Sequence, residues 1–242
     1  YEMMQANKAG KIYIFKGIEG LAAIGEDLSK IDKYYDFGCR HAMLTWNEAN
    51  ALGAGALSGQ SYGLTAAGKE AAKLIQAKGM LLDVSHLNDA GFWDIVKLAK
   101  KPIVASHSNS RVMCDVPRNL TDDQLRAIRD LDGVVGLNSF NIFVDHDPAK
   151  QTVENLARHA EHMINIMGID HVGCGFDFFE FIEDEETMGS MAASSTPAVK
   201  GMDDASQIPN LFKVFEKMGL SQEERDKIAR LNFQAVVKKT IG

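Results

Sequence analysis

The chain has 242 residues, of which 45% are hydrophobic and 24% charged, and its formal net charge is −7 at pH 7. That length can bury a sizeable core as one large domain or two small ones, and the composition is ordinary for a soluble globular protein. The negative balance argues against a basic nucleic-acid-binding surface, and no apolar run approaches the roughly 18 residues of a membrane span.

In chain order, short runs rich in Val, Ile and Leu alternate with amphipathic stretches, the pattern of βα units on a parallel sheet. Strands are predicted over 11–18 (KIYIFKGI), 41–46 (HAMLTW), 80–85 (MLLDVS), 102–106 (PIVAS), 133–138 (GVVGLN) and 170–176 (DHVGCGF). Between them, helices are predicted over 22–37, 65–78, 88–100, 121–131 and 152–167. Two more follow over 208–218 and 221–240. Thr121 and Ser221, each followed by acidic first-turn residues, read as N-caps. Gly79, Gly133 and Gly168 read as left-handed helix ends. No repeat or composition break divides the chain, so 1–242 is expected to be a single catalytic domain. Residues 181–207 differ in texture: an acidic cluster (Glu183, Asp184, Glu185, Glu186) runs into Met, Ser, Ala and Gly, as in an active-site loop.

Cys39, Cys114 and Cys174 are odd in number and widely spaced, so neither a disulfide framework nor an all-cysteine zinc site is implied. Buried thiols in a reducing cytoplasm are the expectation. The chain opens at Tyr1 without a signal peptide, and a cytoplasmic location is expected. Six strands with intervening helices suit either a doubly wound sheet or a (β/α)8 barrel short of two units, and periodicity does not choose.

The predicted strand ends are unusually polar. They lead into Glu19, Trp46-Asn47, His86, His107, Asn138-Ser139 and Asp177. A lone histidine after a strand is more often structural. Two on successive parallel strands are neighbours within reach of one metal, and neutral imidazoles suit zinc. Glu19 is either a turn carboxylate or one that bridges two metal ions. Asp177 either caps the next segment or carries a proton at a metal site. Arg118 reads as a surface arginine ahead of a helix.

The segment LLDVSHLNDAGFWDIVKLAKKPIVASHSNSRVMCDVPRNLTDDQL resembles the core of the membrane (renal) dipeptidase family, zinc peptidases of the M19 type. IEG at 18–20, LTWNEAN at 44–50, GVVGLNSF at 133–140, GCGFDF at 173–178 and GMDDASQIPNLFKVFEKMGLSQEE at 201–224 match in the same order. The resemblance covers about residues 11 to 240. It implies a (β/α)8 TIM-type barrel of the metal-dependent hydrolase kind, with two Zn2+ ions per complete active site and a dipeptide substrate, D-residues being tolerated at its C-terminal position. Carried over, Glu19 bridges the two zinc ions, His86 and His107 hold the second, Asp177 handles the proton, and Arg118 binds the substrate's C-terminal carboxylate. A guanidinium fork suits that carboxylate.

Two departures qualify the resemblance. Trp46 stands where some members carry a histidine at the substrate carbonyl, so that role falls to Asn47 or another group, or is absent, and Trp46 is expected to form a pocket wall. The family's first-zinc pair, His-x-Asp, does not precede Glu19. The matched order starts at what would be the third strand, so one or two βα units are expected to lie outside this chain. The rivals are another metal-dependent barrel amidohydrolase or lactonase, and a catalytically incomplete fragment or pseudoenzyme. A homodimer is compatible with the sequence. His159 and His162 share a helix face but read as packing or solvated residues. His41, His146 and His171 sit off the polar strand ends, and the 11 methionines read as core filler.

Overall fold

The computed structural model describes residues 5, 6, 8–14, 16–178 and 198–242. Six short strands carry the fold: β1 (Lys16–Ile18), β2 (Cys39–Met43), β3 (Leu81–Asp83), β4 (Ile103–Ala105), β5 (Val134–Leu137) and β6 (Val172–Cys174). β1 to β4 are neighbours in chain order, and β5 lies beside β6. Every predicted strand is present, each shorter than its apolar run. The chain groups into two compact units, Tyr1–Val104 with Ala235–Gly242, and Ala105–Gln234.

In the first unit, β1 to β4 pair in parallel, with Ile18 opposite Ala42, Ala42 opposite Leu82, and Asp83 opposite Val104. β3 is buried at every residue, as a parallel strand covered on both faces must be. Three helices connect these strands: α1 (Lys30–Asp36), α2 (Ala66–Ala77) and α3 (Asp89–Leu98). Thr65 and Asn88 cap α2 and α3 by accepting the Gly68 and Gly91 N–H groups. Ala71, Ala72 and Ile75 form the buried stripe of α2. The predicted helix over 22–37 is instead a 3-10 turn (Ala22–Ile24) followed by α1. Asp27 Oδ1 accepts both the backbone N–H and the hydroxyl of Ser29, a local pairing that competes with helix and breaks the run.

In the second unit, β5 and β6 pair in parallel, Gly136 opposite Gly173 and Leu137 opposite Cys174. α4 (Asp122–Asp130) opens with a capping box between Thr121 and Gln124 and buries Leu125 and Ile128. Burial of each such side chain contributes about 1.5–3 kcal/mol. The left-handed residue at its end is Asp132, at φ 56°, not the expected Gly133. α5 (Val153–Met167) ends at Gly168, at φ 86°. α6 (Ile208–Lys217) and α7 (Gln222–Asp226) follow, the latter opened by a Ser221–Glu224 capping box. The predicted helix over 221–240 carries a π turn at Lys227–Leu231 before α8 (Asn232–Thr240). Just after that turn, Asn232 Nδ2 donates to the Ile169 and Val172 carbonyls, both at 2.7 Å, tying the C-terminal helices to β6.

Of the predicted loop 181–207, residues 181–197 lie outside the described residues. Ala198 bridges Phe140, Lys200 bridges Thr152, and Val199 and Met202 are fully buried. Among the described residues no helix is long and apolar enough to cross a membrane.

Candidate metal centre and substrate clamp

Glu19 is the first residue after β1, and His86 lies three residues beyond β3. Their side chains meet: Glu19 Oε1 is 2.8 Å from His86 Nε2. The other ring nitrogen, Nδ1, is 2.8 Å from Asn47 Oδ1. Trp46 tilts over the same ring, its centroid 5.9 Å away. His86 is buried whereas Glu19 is about half exposed. His86 holds φ 68°, a left-handed conformation uncommon for a residue other than glycine. Asp83 Oδ1 accepts the Ser85 N–H at 2.8 Å, and the Ala56 N–H donates to the His86 carbonyl at 2.7 Å, so the turn is held on both sides.

His107 lies three residues beyond Val104, as His86 lies three beyond Asp83, the residue paired with Val104. The equal offset puts the two histidines at corresponding positions after β3 and β4. His107 is buried, and its Nδ1 shares a 2.7 Å hydrogen bond with Ser106 Oγ. The Ser106 carbonyl oxygen is pressed against two glycines: a Cβ built at Gly136 or Gly175 would overlap it. Only glycine permits that approach. Arg118 is 4% exposed, donates from Nη2 to the His107 carbonyl at 3.5 Å, and lies 5.5 Å from the centroid of the Phe143 ring. Asp177 follows the end of β6 at φ 60°, exposed, with Asn138 Nδ2 3.5 Å from its Oδ2. Only three described residues other than glycine hold positive φ, and two of them are His86 and Asp177. Such strain collects at functional sites.

Glu19, His86 and His107 are the carboxylate and imidazole groups suited to a metal ion. Carboxylate oxygen and imidazole nitrogen are donors of the kinds that divalent transition metals take. Each imidazole has an oxygen atom at Nδ1, which at His86 is an amide oxygen that can only accept; metal-bound histidines usually carry such a partner on the nitrogen that does not face the metal.

The family model for membrane dipeptidase, peptidase family M19, matches residues 1–241. The chain belongs to the membrane dipeptidase family. A Klebsiella pneumoniae protein named for the pqqA 5' region is 36% identical over 91% of the chain and 79% of its own length. An uncharacterised dipeptidase of Schizosaccharomyces pombe is 32% identical over 93% of the chain. A metallopeptidase from Rhodobacter sphaeroides, solved with a phosphinate mimic of L-Ala-D-Ala, superposes with a TM-score of 0.86 at 29% identity, over 99% of this chain and 66% of its own. The chain spans about half (52%) of the yeast relative. Family and superposition together establish the α/β fold with a parallel sheet that the sequence predicts.

In this membrane dipeptidase family member, several further polar residues pack beside these side chains. His41 Nε2 pairs at 2.6 Å with Asp83, which is fully buried, so His41 anchors the strand that leads to His86. His159 is a buried structural residue, and His162 pairs with Asp122 at 2.8 Å. Asn109, Asn119 and Asn138 are all fully buried and interlock by amide hydrogen bonds. For Asn109 and Asn138 the available signal was an asparagine shortly past a strand end. Asn47, expected at the substrate, turns its side-chain oxygen to His86. Burial pushes the Cys174 thiol up to about 12 and Cys114 to about 11, which leaves both protonated and unreactive near neutral pH.

Proposed function

We propose that this chain carries the catalytic residues of a zinc-dependent dipeptidase, with Glu19, His86 and His107 as metal ligands. Glu19 would bridge two zinc ions and the histidines would hold one of them. Zinc bound there would lower the pKa of a water molecule and polarise the scissile carbonyl. Arg118, almost wholly buried and anchored at the His107 carbonyl, would receive the free C-terminal carboxylate of the substrate through its planar fork. That requirement would restrict the enzyme to very short peptides. Asp177, exposed beside Asn138, would take a proton from the attacking water and return it to the departing amine. Trp46 would wall the substrate pocket beside His86.

The observation that carries this reading is the Glu19–His86 pair with Asn47 behind it, in a chain matched over its length by a metallodipeptidase family. A solved relative's complex with a mimic of L-Ala-D-Ala supports a dipeptide substrate that can end in a D-residue. The test is a panel of dipeptides, their C-terminal amides and simple lactones, assayed with the zinc-loaded protein. Hydrolysis confined to free-carboxylate dipeptides is expected. Equal turnover of amides or lactones would favour another amidohydrolase, and none at all would overturn the reading.

A further inference from the structure

The loop after β2 and the loop after β3 are stapled by one short segment. Gly55 bridges Leu87, the Ala56 N–H donates to the His86 carbonyl at 2.7 Å, and the Asn88 N–H donates to Ala54 at 3.1 Å. The same segment grips the other loop: the Leu57 N–H donates to the Asn47 carbonyl and the Gly55 N–H to Glu48, both at 3.1 Å. Gly55 lies so close to this loop that a Cβ would overlap the Trp46 carbonyl oxygen and sit 2.5 Å from the Asn47 carbonyl carbon and oxygen. The backbones of Asn47 and His86 are therefore fixed to a common support, and their side chains meet with Asn47 Oδ1 at 2.8 Å from Nδ1.

We propose that Asn47 is a positioning residue for His86: its side-chain oxygen keeps the proton on Nδ1 and thereby commits Nε2 to the metal. An amide oxygen accepts and cannot donate, so a hydrogen bond to Nδ1 exists only in the form that carries Nδ1–H. In the neutral ring that form leaves the lone pair on Nε2, the nitrogen facing Glu19. The carboxylate of Glu19 exerts the opposite pull, since in the metal-free protein an Nε2–H would donate to it. Asn47 counters that pull from the other side of the ring, and the glycine-tight contact at Gly55 holds it there. Partners of this kind typically affect metal affinity by about 10–100-fold.

The inference rests on the metal-ligand reading of His86, and the test separates the two. Three proteins are compared: the wild type, Asn47→Leu, which keeps the shape but removes the acceptor, and Asn47→Asp, which retains an acceptor. Histidine 15N spectra of the metal-free proteins, assigned with a His86→Gln control, report whether Nδ1 carries a proton. Competition against a chromophoric chelator reports zinc affinity. The wild type and Asn47→Asp are expected to show protonated Nδ1 at His86, and Asn47→Leu a mixed or Nε2-protonated ring with about 10–100-fold weaker zinc binding. Nδ1 bare in the wild type, or equally protonated in Asn47→Leu, would overturn the proposal, as would unchanged zinc affinity in a correctly folded Asn47→Leu. A wild type with the expected tautomer but no zinc binding would sink the metal reading and leave the Asn47–His86 assignment standing.

Discussion

His159 accepts the backbone N–H of Ser110 on its Nδ1 at 3.2 Å. Its Nε2–H donates to the Val144 carbonyl at 2.8 Å, so the buried ring is neutral and joins α5 to the chain just past His107. Burial holds this imidazole below the ordinary histidine value of 6.5, with nearby His162 adding to the shift, while the Val144 carbonyl and Asp145 oppose it. The unfolded chain therefore takes up a proton that the fold refuses. The stability gained from keeping this ring neutral is fully present above pH 6.5 and is lost as pH falls below it. Urea unfolding midpoints should fall between pH 7 and 5.5. In His159→Leu that dependence should flatten, and stability at pH 7 should drop by about 2–4 kcal/mol because two buried backbone groups lose their partner. An unchanged pH slope in the variant would remove His159 as the cause.

The Ser106 carbonyl meets Gly136 and Gly175 where no side chain fits. Gly175→Ala must therefore push apart β6 and the strand end that carries His107. A loss of about 3 kcal/mol is expected by thermal or chemical unfolding, as for an overpacked core. Zinc affinity should fall with it. Wild-type stability in this variant would show that the backbone yields easily at this point.

Much of this frame is legible in the residues alone, and the limits of that legibility are physical. Leu81-Leu82 and Ile103-Val104 read as strands because buried parallel strands are continuously apolar, and the equal distance from each strand to its histidine survives into the register. Strand ends are less visible, because the polar residues that follow them do not form a recognisable turn motif. The interruption at Lys227–Leu231 has no local breaker and accompanies an asparagine that finds carbonyls about 60 residues away. For His159 the residues left packing and solvation both open, because its partners, Ser110 and Val144, are remote in sequence. The direction of the Asn47 side chain was not legible, since nothing local to LTWNEAN shows which way an amide points.

Arg118 and Asn119 are neighbours with separable roles. Asn119 Nδ2 donates to the Cys114 and Phe143 carbonyls, both at 2.9 Å, and so fixes the loop that presents Arg118. Arg118→Ala should raise the dipeptide KM about 10–100-fold, the equivalent of about 1.5–3 kcal/mol for hydrogen bonds to a charged group, with zinc content unchanged. Arg118→Lys should recover only part, since an ammonium lacks the planar fork. Asn119→Ala should cost about 1–3 kcal/mol of stability and raise KM in the same direction as Arg118→Ala. Parallel kinetics and zinc analysis check both. A KM unaffected by Arg118→Ala would dissociate the guanidinium from the substrate.

Asp177 offers a cleaner separation of fold from chemistry. Its left-handed backbone at φ 60° would strain most replacements, but asparagine tolerates that region. Asp177→Asn keeps the side-chain shape and removes the ability to accept and return a proton. Because Asp177 is exposed and is not one of the proposed ligands Glu19, His86 and His107, melting temperature and zinc content should stay at wild-type values. General acid–base catalysis typically contributes about 10²–10⁴-fold, so kcat should fall by that order while KM changes little. Asp177→Ala makes a useful contrast: it should lose comparable activity and also some stability, because alanine is poorly suited to positive φ. If Asp177→Asn keeps wild-type kcat, proton transfer must run through another group, and the exposed, strained position of Asp177 would need a different explanation.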